Sequence, residues 1–270
     1  MQRRAIARLW PAARPSWPAA GDGARASSSA SAPPAGAGGV QWVFLGPPGV
    51  GKGTYASRVA KALGVPHIAA GDLVRAEIKS GSALGERMKA TVAAGGLLPD
   101  EMVLAVLAGR LAGRAAAGEA GFLLDGFPRT RAQAEALAAA GHRVDLAVNL
   151  GLREEVLVAK CTARRTCGKC GKGFNLADIR LPASGGRPEI LMPPLSPPDK
   201  CLPLMEQRDD DTEAVVRRRL AVYHAEAAPV ERFYADSGRL LDFEITGGIP
   251  ETLPRLLDAL RPHAGGRLPA

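Results

Sequence analysis

The stretch Gly46-Pro47-Pro48-Gly49-Val50-Gly51-Lys52-Gly53-Thr54 constrains this chain more than any other. A short apolar run over 40–45 precedes it and reads as a buried strand. Residues 55–63 follow with the spacing of an amphipathic helix, which Gly64 ends. Strand, glycine loop and helix is the context a phosphate-binding loop needs. Glycines let backbone N–H groups turn inward around an anion, and the helix N-terminus adds partial positive charge. Lys52 supplies a full charge to the outer phosphates. Isolated glycines only mark turns, but here four glycines, a lysine and a threonine stand in register.

From Val40 onward, strand and helix signals alternate. Strands are expected over 40–45, 66–69, 121–124, 144–150 and 239–244. Helices are expected over 55–63, 72–79, 83–94, 100–113, 131–140, 153–165, 212–236 and 251–260. Short apolar strands, most followed by a motif or a helix, predict an α/β fold with a parallel sheet covered on both faces. Ligands of such folds gather at the carboxyl ends of the strands. Residues 166–211 break the rhythm: Cys, Gly and Pro are dense, and Pro193-Pro194-Leu195-Ser196-Pro197-Pro198 cannot be helical. The segment is too long for a bare loop and is expected to be a small insert or a mobile lid.

Two further motifs, at 70–75 and 125–130, fall just after expected strands. Asp125-Gly126-Phe127-Pro128-Arg129-Thr130 follows Phe122-Leu123-Leu124. A carboxylate there can organise magnesium through its waters, and Arg129 presents a rigid fork suited to a phosphate. Ala70-Gly71-Asp72-Leu73-Val74-Arg75, Gly96-Leu97-Leu98, Ala163-Arg164-Arg165 and Arg208-Asp209-Asp210-Asp211 complete the set, with Arg219 on the helix that follows.

These strings resemble the adenylate kinases, a branch of the nucleoside monophosphate kinases. Gly53 stands between Lys52 and the hydroxyl of Thr54, the variant of the phosphate loop found in that group. Leu123 to Thr130 resembles the family signature residue for residue, and 70–75 resembles its Thr-Gly-Asp-x-x-Arg with Ala70 in place of Thr. The resemblance covers 40–260 and rests on four motifs in the family's order. It implies a P-loop-type, five-stranded parallel sheet with helices on both faces, an AMP-binding insert over 69–98 and a lid over 163–211. The core would run over 39–270, in the long-lid form of plant organellar members.

The resemblance also implies the chemistry: reversible phosphoryl transfer from ATP to AMP giving two ADP, with Mg²⁺, in the service of adenine nucleotide homeostasis. By position, Gly49, Val50, Gly51, Lys52, Gly53, Thr54, Arg164 and Ile249 would hold ATP. Ala70, Arg75, Gly96, Leu97, Leu98, Gly126, Phe127, Pro128, Arg129, Gln133, Arg208 and Arg219 would hold AMP, with Gln133 reading the adenine. Lys52, Arg129, Arg164, Arg208 and Arg219 would be catalytic, and Arg75 makes a sixth cation. The nucleophile is an AMP phosphate oxygen, already anionic at pH 7, so no general base is required and the four histidines are left without a role.

Two positions depart from the family pattern. Lys160 stands where an Arg usually stacks on the adenine of ATP, and lysine lacks the planar face; a GTP:AMP phosphotransferase is therefore the alternative reading. Cys167-x-x-Cys170 with Cys201 resembles the zinc knuckle of some members' lids. Structural zinc wants four ligands, and the fourth place, three residues after Cys201, is Leu204. No metal ligand is assigned. Phe174, Leu176, Ile190 and Leu191 are expected to order the lid instead, and Cys161 is expected to be a packed apolar residue.

The formal net charge is +8, and the first 38 residues hold five Arg against one Asp, half of that excess. An Arg-rich, Ser-containing, acid-poor leader reads as a disordered transit peptide over 1–38, directed to the mitochondrion with the chloroplast as alternative. A reducing organelle matrix argues against structural disulfides. Basicity together with Cys-x-x-Cys raises a zinc-ribbon nucleic-acid binder, which the scarcity of aromatics (4%) and the incomplete ligand set oppose. No run approaches the ~18 apolar residues of a membrane span. The expectation is a soluble monomer acting on ATP, AMP and ADP, with neither nucleic acid nor membrane as partner.

Overall fold

Successive side chains of β1 (Gln41–Leu45) enter different cores: Trp42 and Phe44 belong to one apolar cluster, Val43 and Leu45 to another. That alternation is possible because β1 is the middle strand of a five-stranded sheet buried on both faces. The computed structural model describes residues 39–116, 121–184 and 186–268, so the leader read over 1–38 lies outside the described residues.

The other strands of this sheet are β2 (His67–Ala69), β3 (Phe122–Asp125), β4 (Leu146–Gly151) and β10 (Leu240–Glu244), in the order β10-β4-β1-β3-β2. Every neighbouring pair is parallel. The helices are α1 (Lys52–Leu63), α2 (Ala70–Lys79), α3 (Ala83–Ala93), α4 (Asp100–Ala116), α5 (Arg131–Ala139), α6 (Glu154–Thr162), α7 (Glu213–Ala235) and α8 (Ile249–Leu260). Residues of α1, α6 and α8 join the Trp42 and Phe44 face; residues of α4 and α5, with the C-terminal part of α7, join the other. A smaller cluster of Val74, Met88, Leu98 and Met102 packs α2, α3 and α4 together beside the sheet.

The helix expected over 153–165 stops at Thr162. Arg164–Cys167 instead form β5, paired antiparallel with β6 (Gly173–Asn175) and β9 (Met205–Glu206). Partners on both sides override the helical pattern of the sequence. The irregular segment thus holds a three-stranded antiparallel sheet and a separate hairpin of β7 (Ile179–Leu181) and β8 (Ile190–Met192). Apolar ordering of this segment differs from expectation. Ile190 is buried, but Leu176 and Leu191 are exposed. Ile179 and Met192 take their place and join the core cluster that contains Ile245 and Leu256. Leu191 also makes a parallel backbone bridge with Gly247, at the entrance to α8.

Candidate active site

A cavity of about 1010 Å³ opens at the carboxyl edge of the parallel sheet. Its floor is the loop between β1 and α1. Gly46, Gly49 and Gly51 take φ values of 129°, 86° and 101°, a region that L side chains rarely adopt. The loop is also tightly packed from beneath: a Cβ on Gly49 would stand 2.7 Å from the Leu157 carbonyl oxygen and 2.8 Å from Cys161 Sγ. Cys161 is buried there, as a packed apolar residue.

Lys52 begins α1, and its ammonium donates to the carbonyl oxygens of Gly46 (2.7 Å) and Pro47 (2.9 Å), which curls it across the loop. Burial pushes its pKa down to about 8, against the attraction of Asp125 and with the help of Arg129 and Arg219. A Cβ on Gly53 would sit 3.0 Å from Asp125 Oδ2. Glycine after Lys52 therefore lets the carboxylate at the end of β3 close on the start of the helix. Asp125 and Thr54 both line the cavity here, and oxygen donors beside a phosphate loop fit Mg²⁺.

A second stretch of the lining begins at Gly126, with φ 74°. Arg129 Nε donates to the Gly126 carbonyl at 2.8 Å, and the Arg129 backbone N–H donates to Gln133 Oε1 at 2.7 Å. Thr130 caps α5 by accepting from the Gln133 backbone N–H at 3.1 Å. Gln133 Nε2 donates to Asp100 Oδ1 at 2.8 Å. Gln133 is buried, and both ends of its amide are engaged. Arg75 pairs with Asp72 one helical turn earlier in α2.

Six cations expected at phosphates, Lys52, Arg75, Arg129, Arg164, Arg208 and Arg219, all line this one cavity. Arg164 forms a two-point pair with Asp211, through Nε at 2.8 Å and through Nη2. Burial alone would lower its pKa, and the Asp211 carboxylate more than reverses this. Arg219 donates to Asp210 Oδ2 at 2.7 Å. Burial pushes Arg208 down to about 10, with Arg164 and Arg75 adding repulsion. Burial pushes Arg129 down as well. Such crowding of cations without enough counter-charge is the signature of a polyanion site.

Gly49, Gly51, Gly53, Thr54, Ala70, Gly96, Leu97, Leu98, Gly126, Pro128, Gln133 and Ile249 line the same cavity. Val50 and Phe127 do not contribute side chains to it; both are fully buried in the cores that flank the sheet. Three residues of the site were given no role from the sequence. Asp210 and Asp211 hold the cations of the upper wall. His67 Nε2 lies 3.6 Å from Asp125 Oδ2 and lines the cavity. The signal for His67 was its place in β2, which pairs with β3 so that His67 faces Leu123 and Ala69 faces Asp125.

Lys160 lies on the side of the cavity toward β8. Its Nζ has the Met192 sulfur at 3.8 Å as its polar neighbour, and burial pushes it down to about 8. Further out, the sulfurs of Cys167, Cys170 and Cys201 lie within 4.8 Å of one another. No fourth His, Asp or Glu joins them among the described residues, and Leu204 in the fourth place has no donor atom on its side chain. Three thiols without a partner do not fit a four-ligand structural zinc.

Residues 44–239 match the family model for adenylate kinase. The chain is 52% identical over 222 residues to "Adenylate kinase 1, chloroplastic" of Arabidopsis thaliana, covering 82% of this chain and 78% of that protein. It is 52% identical to "Adenylate kinase" of Solanum tuberosum, covering 82% of this chain and 76% of that one. It is 49% identical to "Probable adenylate kinase 6, chloroplastic" of Oryza sativa subsp. japonica, covering 84% and 79%. The chloroplastic names overturn the mitochondrial destination inferred from the early arginines. An arginine-rich, acid-poor leader is a property that transit peptides of both organelles share, so composition could not separate them.

Proposed function

The chain belongs to the adenylate kinase family, in its plant organellar form, and we propose that the cavity at the carboxyl edge of its sheet is where its two nucleotides meet. The enzyme transfers a phosphoryl group reversibly from ATP to AMP, giving two ADP. The observation that carries the site is the convergence of Lys52, Arg75, Arg129, Arg164, Arg208 and Arg219 on one cavity. Phosphoryl transfer asks little covalent chemistry of a protein; positioning and electrostatic stabilisation do most of the work.

In this reading Lys52 and the backbone N–H groups of 49–54 hold the ATP phosphates, with Arg164 above them and Ile249 beside the base. Arg75 and Arg129 hold the AMP phosphate, Gly96, Leu97 and Leu98 close over the nucleotide, and Gln133 reads the adenine. Arg208 and Arg219 reach the phosphoryl group between them. Asp125 and Thr54 would hold Mg²⁺ through phosphate oxygens and water; when bound, the ion neutralises charge on the outer phosphates. The AMP oxygen attacks as an anion, so the chain's task is to exclude water and to keep the cations in place. Residues 69–98 serve as the AMP-binding insert and 163–211 as the lid.

The leader over 1–38 would direct the protein to the chloroplast, where the enzyme would act as a monomer that balances adenine nucleotides. The described residues contain no helix long and apolar enough to cross a membrane, and the basicity is taken up by leader and site rather than by nucleic acid. One observation favours some latitude in the donor. Lys160 offers a buried ammonium where a stacking guanidinium is usual, and an ammonium suits the keto oxygen of guanine. A coupled assay of ATP or GTP against AMP, CMP, UMP and GMP tests the whole reading: AMP is the expected acceptor and ATP the better donor. Phosphorylation of all acceptors at equal rates would refute the assignment of Gln133.

A further inference from the structure

Cys167 closes β5, and the turn to Cys170 is fixed by two backbone bonds, Gly171 N–H to Cys167 O at 2.8 Å and Cys167 N–H to Lys172 O at 3.0 Å. Cys201 stands in a short 3₁₀ helix, Asp199–Leu204. Cys167 and Cys201 are buried, whereas Cys170 is exposed. All three are free thiols in mutual reach, and with no fourth donor among the described residues the set does not fit a four-ligand structural metal. Exposed Lys169 and Lys172 flank Cys170 and favour an anionic reaction partner. The surrounding segment has little core of its own. Among the described residues, the exposed large apolar side chains are Leu176, Leu191, Leu202 and Leu204, and all four lie between β5 and β9.

From this geometry we propose that Cys170 and Cys201 form a reversible disulfide by exchange with an anionic, low-molecular-weight disulfide, and that this bond staples the lid. The thiolate of Cys170, open to solvent, attacks one sulfur of the external disulfide. That S–S bond breaks, one external thiolate leaves, and it takes up the proton that Cys170 gave to water. A mixed disulfide remains on Cys170. The thiolate of Cys201, within reach behind it, then attacks Cys170 Sγ and expels the second external thiol, which takes up the proton that Cys201 lost. Two protein thiols are oxidised by two electrons, and one external disulfide is reduced to two thiols.

The partner taken for Cys170 is Cys201, from a separate segment, while two backbone hydrogen bonds hold the turn between Cys167 and Cys170 as it stands. The staple closes the loop that carries β6, β7 and β8, including Leu191 and its bridge to Gly247. A cross-link that closes a long loop restricts the unfolded segment most. Cys161, packed under Gly49, takes no part.

The test uses the full chain, reduced and then incubated with oxidised glutathione. Titration in denaturant should show the four thiols of the chain fall to two, and dithiothreitol should restore them. A trypsin nick after exposed Arg180 should give fragments that stay joined on a gel without reductant and part with it. In Cys170→Ser the remaining thiols should persist, because no exposed thiol is left to start the exchange. The proposal is overturned if all four thiols survive, if glutathione stays attached with no internal bond, or if the nicked fragments part without reductant. It is equally overturned by loss of two thiols in Cys170→Ser, or by stoichiometric zinc that shields the native cluster.

Discussion

Arg164 and Asp211 meet through two donors on one carboxylate, Nε at 2.8 Å and Nη2 on the other oxygen, although 47 residues separate them. Asp211 is fully buried, and Arg219 Nη1 approaches the same group at 3.7 Å. The pair ties the first residue of β5 to the approach to α7, so it joins the two ends of the segment between α6 and α7 and holds two guanidinium groups at the cavity. Bidentate pairing fixes the plane of a guanidinium as well as its position.

Asp211→Asn should therefore lower both stability and activity. The substitution leaves a largely buried guanidinium without its counter-charge, at a cost of about 1–3 kcal/mol, the lower part of the range for buried charges because Arg164 can turn into the cavity. We expect kcat/KM to fall about tenfold, the scale of ~1.4 kcal/mol of lost transition-state binding. A urea titration and a coupled assay measure the two effects. Unchanged values in both would mean that the pair positions nothing.

Lys52→Ala and Arg129→Ala should each lower turnover by two orders of magnitude or more, corresponding to roughly 3 kcal/mol of lost charge stabilisation. Both line the cavity and come from independent motifs. Circular dichroism establishes that each variant is folded. Near-normal turnover in folded Arg129→Ala protein would remove that residue from the site.

Lys52 and Lys160 are both pushed from 10.5 to about 8 by burial. For the unliganded protein the sign is clear: between pH 8 and 10.5 the unfolded chain binds more protons, so these groups add stability as pH rises through that window. Binding has the opposite sign. Nucleotide phosphates favour the ammonium form of Lys52, so ATP binding should take up a proton near pH 8 and weaken above it, by up to about tenfold per pH unit. Calorimetric titrations at pH 7, 8 and 9 in buffers of different ionisation enthalpy read both quantities. Affinity that is flat across this range would show that Lys52 keeps its charge without help from phosphate.

The sheet was legible because its signals are local. An apolar run, a glycine loop and a helical period lie within about twenty consecutive residues around Lys52, and the parallel order follows once each strand is trailed by a helix. The sheets between β5 and β9 were not legible. Their strands are two to four residues long, too short for any period to show, and Arg164 lay inside an apparently helical run until β6 and β9 claimed its neighbours. The six cations were readable from motifs, but their carboxylate partners were not. Asp210 and Asp211 stood in the Arg208 motif without a role of their own, and only the folded chain brings Arg219 to the first and Arg164 to the second. His67 was passed over for the same reason, since its approach to Asp125 depends on strand pairing.

Gln133 joins the backbone of Arg129 to Asp100, so its truncation should affect selectivity and the placement of Arg129 together. Gln133→Ala is expected to raise the KM for AMP about tenfold, the scale of one or two lost hydrogen bonds. CMP should be affected little, so the AMP:CMP preference narrows. Asp100→Asn keeps the size of the side chain and should give a smaller change in the same direction. A Gln133→Ala enzyme that retains the full AMP preference would place base reading elsewhere on the cavity wall.

The lid should fold without a tightly held metal. Cys201 and Leu204 lie three residues apart in one 3₁₀ helix, where side chains at i and i+3 eclipse. Leu204 stands one 3₁₀ turn on from Cys201 but is exposed where Cys201 is buried, and it contributes only an alkyl group and, through its carbonyl, a 2.9 Å bond to the Gly168 N–H. Elemental analysis of chain purified without chelator should find far less than one zinc per molecule. Leu204→Cys supplies a fourth thiolate at the right spacing and should bind one zinc, with a rise in thermal midpoint that a chelator reverses. Native protein that already carries stoichiometric zinc, and loses it together with thermal stability in Cys167→Ser, would prove that three thiolates suffice here and that Leu204 is no obstacle.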